Sequence, residues 1–180
     1  MQAAYSQEPT MSITMHSASV PVFVRLLNNL DQWLTQAEAH AQSRKFDAVN
    51  FLGSRLAVDM LPFTKQIQIA CDAAKFGVAR LADVEAPKFD DIEVSIAELR
   101  ERIRKTVAFV QSVPAAQVDG TEEKDVIVPR RDGEITLKGE FYLKHFVLPN
   151  FYFHLTIAYA LLRQDGVALV KGDFLGAMTA

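Results

Sequence analysis

The residues of this chain best suited to chemistry are four histidines, at 16, 40, 145 and 154, one cysteine, Cys71, and a set of amides and carboxylates spaced along two apolar segments. Imidazole and carboxylate bind first-row metals and exchange protons near neutral pH, whereas amides supply only weak neutral oxygens. His145 and His154 lie in one strongly apolar helical stretch. At 100° per residue their separation puts them about 180° apart, so they cannot share a face. His154 does share a face with Asn150, one turn earlier. A second apolar segment carries Gln68, Asp72 and Lys75 as a polar line beside its hydrophobic stripe. Buried polar groups need partners, because each one left unsatisfied costs about 1–3 kcal/mol. Gln68 and Asp72 are the natural suppliers for Asn150 and His154. Two readings follow: a hydrogen-bonded polar cluster within a core, or a metal or small-molecule site between helices.

Other candidates are weaker. His16 precedes the first helix and His40 lies near its end, so both are expected at the surface. Cys71 falls in an apolar stripe and reads as a small core residue rather than a nucleophile. Arg100, Arg102, Arg104 and Lys105 alternate with acids around a helix and make no nucleic-acid face. No glycine-rich phosphate loop, HExxH pair or nucleophile elbow occurs.

Four long helical patterns must position these groups. The first follows the N-cap types Ser17 and Ser19, has Pro21 in its first turn, and repeats Phe23, Leu26, Leu27, Leu30, Trp33, Leu34, Ala37 and Ala41 on one face. A short helix is expected near Phe46–Leu56. The second long helix runs from about Leu61 to Leu81 with a stripe of Ile67, Cys71, Ala74, Val78 and Leu81. The third begins at a capping-box-like pair, Asp90 and Glu93, and its stripe is Ile92, Ile96, Leu99, Ile103, Val107 and Val110. Glu98 with Arg102 and Glu101 with Lys105 are i,i+4 pairs expected on its solvated side, each contributing about 0.2–0.5 kcal/mol. Asp125–Pro129 and Glu134–Lys138 alternate as strands around the hairpin signal Asp132-Gly133. The fourth helix, about Gly139–Gln164, is apolar nearly all round, which predicts burial all round and a kink at Pro149.

Bulk composition sets the frame. The 180 residues are 49% apolar and 23% charged, the balance of a globular domain. The net charge of −3 offers no global attraction to nucleic acid or anionic lipid. One cysteine excludes an internal disulfide and any cysteine-rich metal site. The longest uncharged stretch, Phe146–Leu162, is shorter than the roughly 20 residues that span a bilayer and contains Pro149, Asn150 and His154. A cytoplasmic protein is expected. Residues 1–10, MQAAYSQEPT, read as a flexible extension ahead of a second methionine, with one domain over 11–180. The surplus apolar surface of the second and fourth helices predicts a homodimer.

The segments YLKHFVLPNFYFHLTIAYALLRQDGVALVKGDFLG (Tyr142–Gly176), RLAVDMLPFTKQIQIACDAAK (Arg55–Lys75), SITMHSASVPVF and APKFDD together resemble an uncharacterised bacterial family of the DinB-like (YfiT-like) metalloenzyme superfamily. The resemblance implies an all-α, DinB-like four-helix bundle, often a homodimer, here with a small β-hairpin inserted before the last helix. It further implies a divalent metal, such as zinc or nickel, on three histidines: one on the second helix and two at i,i+4 on the last. Some members are thiol-dependent transferases or isomerases. Anchored on Leu161-Leu162-Arg163, that pattern puts its second last-helix ligand on His154, its first on Asn150, and the second-helix ligand near Gln68, to within a residue or two. One imidazole of three is retained. The expectation is therefore a degenerate metal site: no metal, or one held through His154 only, and an inter-helix polar pocket of Gln68, Asp72, Asn150 and His154 that takes a small molecule or serves as structural core. The alternative is a divergent metal- or thiol-dependent transferase or isomerase acting on a small molecule. Nucleic acid and membrane are not expected partners.

Overall fold

The structure is a computed structural model describing residues 12–178; the expected extension over 1–10 lies outside them. The apolar repeat beginning at Phe23 forms helix α1 (Val20–Arg44), and every stripe residue from Phe23 to Ala41 is buried. Pro21 stands in its first turn, but Ser19 does not cap with its side chain: its hydroxyl donates to the carbonyl of Met15 at 2.6 Å. A tight helical turn over Ala48–Gly53, opened by the Asp47 carboxylate accepting from Val49 N at 2.9 Å, buries Phe51. Helix α2 (Phe63–Ala82) buries its whole predicted stripe. It stops at Asp83, whose left-handed φ of 58° turns the chain away.

Helix α3 (Ile96–Ser112) begins later than the sequence pattern predicts. Ser95 Oγ accepts from Glu98 N at 3.2 Å and the Glu98 carboxylate reaches back to accept from Val94 N at 2.6 Å, so the helix is capped by Ser95 and Glu98 rather than by Asp90 and Glu93. Glu93 is drawn elsewhere, onto Arg102 and Gln68. Ile92, expected in the stripe, lies before the helix and is 75% exposed.

A short helix α4 (Ala115–Val118) leads to strands β1 (Asp125–Arg130) and β2 (Gly133–Lys138), paired antiparallel with Asp125 opposite Lys138 and Arg130 opposite Gly133. Val126 and Val128 are buried, which gives the two-stranded ribbon the support it lacks alone. Lys124 Nζ donates to the carbonyls of Arg80 and Leu81 at 3.1 and 3.0 Å, satisfying acceptors that the end of α2 leaves open. At Gly139 an added Cβ would stand 2.0 Å from the carbonyl oxygen of Thr121, so only glycine fits where the ribbon passes into the last helix.

That helix is in three parts: α5 (Gly139–Tyr142), a widened π turn over Leu143–Val147, and α6 (Leu148–Gln164). Pro149 has no N–H to offer and its ring crowds the carbonyl one turn back; the π turn just upstream absorbs that conflict. Burial all round is not what the helix achieves. Phe141, Phe146, Tyr152 and Phe153 are 38–53% exposed, because α6 packs on α2 and to a lesser extent on α1, leaving one aromatic side uncovered.

The four long helices pack as α1 on α3, α3 on α2 and α2 on α6, with Phe23 of α1 meeting Phe151 of α6 edge-on at 4.9 Å. The chain then returns to α1 as a strap containing helix α7 (Lys171–Leu175). Side chains on one stripe of α1 hold it: Arg25 donates to Leu175 O at 3.0 Å and also to Ala177 O, Asn29 to Phe174 O at 2.9 Å, Trp33 Nε1 to Asp173 O at 3.0 Å and Gln36 to the Asp173 carboxylate at 3.3 Å. No described helix is long and apolar enough to cross a membrane.

Candidate functional site

Helix α2 is polar on two sides, and its two polar sides meet different partners. Facing α6, Gln66 presents Oε1 to His154 Nδ1 at 2.8 Å while its Nε2 donates to Leu61 O at 2.8 Å. The amide orientation is thereby set, so Nδ1 must carry the imidazole proton and Nε2 keeps the lone pair. His154 is 9% exposed, and burial lowers its pKa from the ordinary 6.5. The imidazole is thus neutral at physiological pH.

Gln68 is not the residue that meets His154. Two positions on from Gln66 it is turned by about 200° and faces the other way, where Nε2 donates to the Glu93 carboxylate at 2.6 Å. Here Arg102, 3% exposed, reaches Glu93 at 2.9 Å, Asp91 at 3.1 Å and Asp72 at 3.1 Å. Lys75, 2% exposed, pairs with the same Asp72 oxygen at 2.9 Å and lies over the rings of Phe76 and Phe89 at 4.4 and 4.3 Å. Lys65 closes the cluster on Asp91 at 2.8 Å. Three cations (Lys65, Lys75, Arg102) balance three carboxylates (Asp72, Asp91, Glu93). Burial opposes the ionisation of Glu93, but hydrogen bonds from Arg102 and Gln68 outweigh it and hold the carboxyl below its usual value. Asp91 is lowered in the same way: burial works against it, and Lys65 and Arg102 prevail.

The sequence pattern puts Arg102 on a solvated side with Glu98. The structure corrects this: Glu98 caps the helix and Arg102 turns inward, because the loop ahead of α3 brings two carboxylates over it. The lone signal for the cluster is the acid-rich loop itself. Glu101 and Lys105 do pair as expected, at 3.7 Å. His145 is exposed; His16 and His40 are half-buried rather than fully at the surface, His40 edge-on to Phe46 at 5.9 Å. Cys71 is fully buried, which pushes its thiol up to about 12, so it supplies no thiolate at neutral pH.

Asp72 and Asn150 come together in a third place. They line a surface cleft of about 120 Å³ between α2 and the last helix, with Phe76, Arg80, Tyr142 and Phe146 around them. Neither Gln68 nor His154 reaches it. Of the four expected pocket residues, then, Asp72 and Asn150 share a cleft, Gln68 joins Asp72 in the ion cluster and His154 pairs with Gln66.

A model of the domain of unknown function DUF1993 matches residues 15–175. The chain belongs to the DUF1993 family. The domain is also similar to a crystal structure of a DinB family member from Shewanella denitrificans, at 40% identity and TM-score 0.86, over 92% of this chain and 93% of that one. No curated protein is significantly similar to it. The fold of this DUF1993 domain is DinB-like, as the sequence resemblance implies.

The donors at the expected metal position do not make a three-histidine set. Gln68 and Asn150 stand where the resemblance implies imidazoles, and of the three expected positions His154 alone offers a nitrogen lone pair. Among the described residues no group of three or more His, Cys, Asp or Glu is placed to hold a metal ion. A first-row metal at His154 would have one imidazole and the neutral Gln66 amide beside it, a poor set for zinc or nickel.

Proposed function

We propose that this chain is a DinB-like binding module that works without a metal, taking a small molecule in the cleft between α2 and the last helix where Asp72 and Asn150 meet. The observation that carries the reading is that Asp72 and Asn150 line one cleft while His154, the one imidazole among the expected ligand positions, stands apart from it and donates its Nδ1 proton to Gln66 Oε1 at 2.8 Å. In this reading Gln68, Asp72, Asn150 and His154 divide their work. Asp72 and Asn150 face the ligand, while Gln68 and His154 lock α2 against α3 and α6. The cleft is smaller than the roughly 300–1,000 Å³ of drug-sized sites, so the ligand, or the part of it that enters, is small.

The module is a cytoplasmic homodimer in the same reading, with the exposed aromatics Phe141, Tyr152 and Phe153 covered by a second copy. Light scattering at a mass near 20 kDa would refute the dimer. Elemental analysis of protein purified without chelator tests the metal-free reading. Less than a tenth of an equivalent of zinc, nickel, iron or manganese is expected. A stoichiometric metal that disappears in His154→Ala would overturn it.

A further inference from the structure

Among the described residues three guanidinium groups are buried or half-buried, and their partners differ. Arg100 has the carboxylates of Asp31 and Glu38. Arg102 has those of Asp72, Asp91 and Glu93. Arg80 has none: no carboxylate of the described residues lies within 4 Å of it, and it lines the cleft that holds Asn150.

Arg80 is nevertheless held in one position. Its Nη1 donates to Tyr142 Oη at 3.1 Å, Tyr142 Oη donates onward to Phe76 O at 3.2 Å, and the guanidinium lies over the Phe76 ring at 4.9 Å. Tyr142 is buried and cannot swing away, so the bracket is rigid. Nε and Nη2 have no acceptor among the described residues. A guanidinium presents its donors as a planar fork that matches the two oxygens of a carboxylate. Removing a cation from water without a counter-charge is costly, and a bound anion would repay that cost.

We infer that Arg80 is the anion-binding residue of this cleft and that its ligand is a small monocarboxylic acid with a short apolar body. This rests on the cleft being a ligand site, as proposed above. Among the described residues the cleft offers one cation without a carboxylate partner and no second. Asp72, at its other end, already has Lys75 and Arg102 on one oxygen and leaves no positive charge over for a phosphate dianion. Ile69, Phe76 and Phe146 form apolar walls for the body of the ligand, and Asn150 supplies a neutral polar contact.

The test is a titration of the full chain with propionate, propionamide, propylamine and inorganic phosphate, followed through the side-chain amide resonance of Asn150. Propionate is expected to shift that resonance saturably, with the isosteric propionamide at least tenfold weaker. Arg80→Gln is expected to lower propionate affinity at least tenfold with an unchanged melting temperature, and Arg80→Lys, which keeps the charge but not the fork, to lose part of it. Because the propionate and propionamide comparison uses the unaltered chain, it decides even if a variant folds poorly. Propionamide or propylamine binding as well as propionate would overturn the role of Arg80 and leave the cleft standing. Phosphate binding more tightly than propionate would overturn the carboxylate. No response of Asn150 to any probe would overturn both the inference and the reading beneath it.

Discussion

The two polar sides of α2 solve the same burial problem by opposite means. Toward α6, one amide and one imidazole share a single neutral hydrogen bond at 2.8 Å. Toward α3, five charged side chains and Gln68 interlock around a nearly inaccessible Arg102. The neutral seam can be exchanged as a unit, because two apolar groups of matching shape leave nothing unsatisfied. The inner members of the ionic cluster cannot be removed one at a time: losing Arg102, Lys75 or Glu93 strands an opposite charge beside it, whereas Lys65 and Asp91 at the rim are within reach of water. A helix that carried a catalytic metal on the first side would need its imidazoles; the second side needs its inner charges whatever the first side does.

The largest effect expected from breaking this contrast is at Arg102. Arg102→Ala leaves Glu93, Asp91 and Asp72 without their shared cation and should destabilise the fold by about 3–5 kcal/mol, the scale of a broken buried ion pair, measured by urea unfolding. A loss below about 1 kcal/mol would mean that solvent reaches the cluster freely. Next comes the seam. Gln66→Leu or His154→Leu alone should cost about 1–3 kcal/mol, but the double variant much less than the sum. Additive losses would show that the two groups are not each other's partners.

The smallest effect, and the one that separates the two sides in a single experiment, is pH. His154 is lowered from 6.5 by burial, so the folded state binds its proton less readily than the unfolded chain. The stability this gives is whole above about 6.5 and falls as the pH drops through the lower folded value. Asp91 and Glu93 are lowered from 3.8 and 4.5, so the contribution of the cluster is whole above those values and is lost at lower pH still. Stability should therefore fall in two stages on acidification. His154→Leu should remove the upper stage and leave the lower; a profile unchanged by that substitution would assign the upper stage to another group.

These two sides were not equally visible in the residues. The stripes of α1 and α2, the hairpin at Asp132-Gly133 and the opposite placement of His145 and His154 follow from spacing alone and stand in the structure. So does the need of His154 for an amide on α2. Which amide depends on helix phase, and Gln66 and Gln68 differ by more than half a turn. The cluster was hidden because its organiser comes from a loop. Arg102 at i+4 from Glu98 has the spacing of a surface pair, and nothing local says that Asp91 and Glu93 fold back over it while Glu98 caps. The exposed aromatics of the last helix were misplaced for a related reason: an all-round apolar sequence states what could be buried, and the neighbours α2 and α1 decide how much is.

The strap that ends the chain has a mechanical consequence. Its anchors on α1 run in order, Arg25 to the carbonyls of Leu175 and Ala177, Asn29 to that of Phe174, then Trp33 and Gln36 to Asp173. A load applied at the C-terminus meets them one after another rather than side by side. The strap should therefore peel like a zipper from the Arg25 end at low force, and the bundle beneath it would bear the load only after Trp33 has let go.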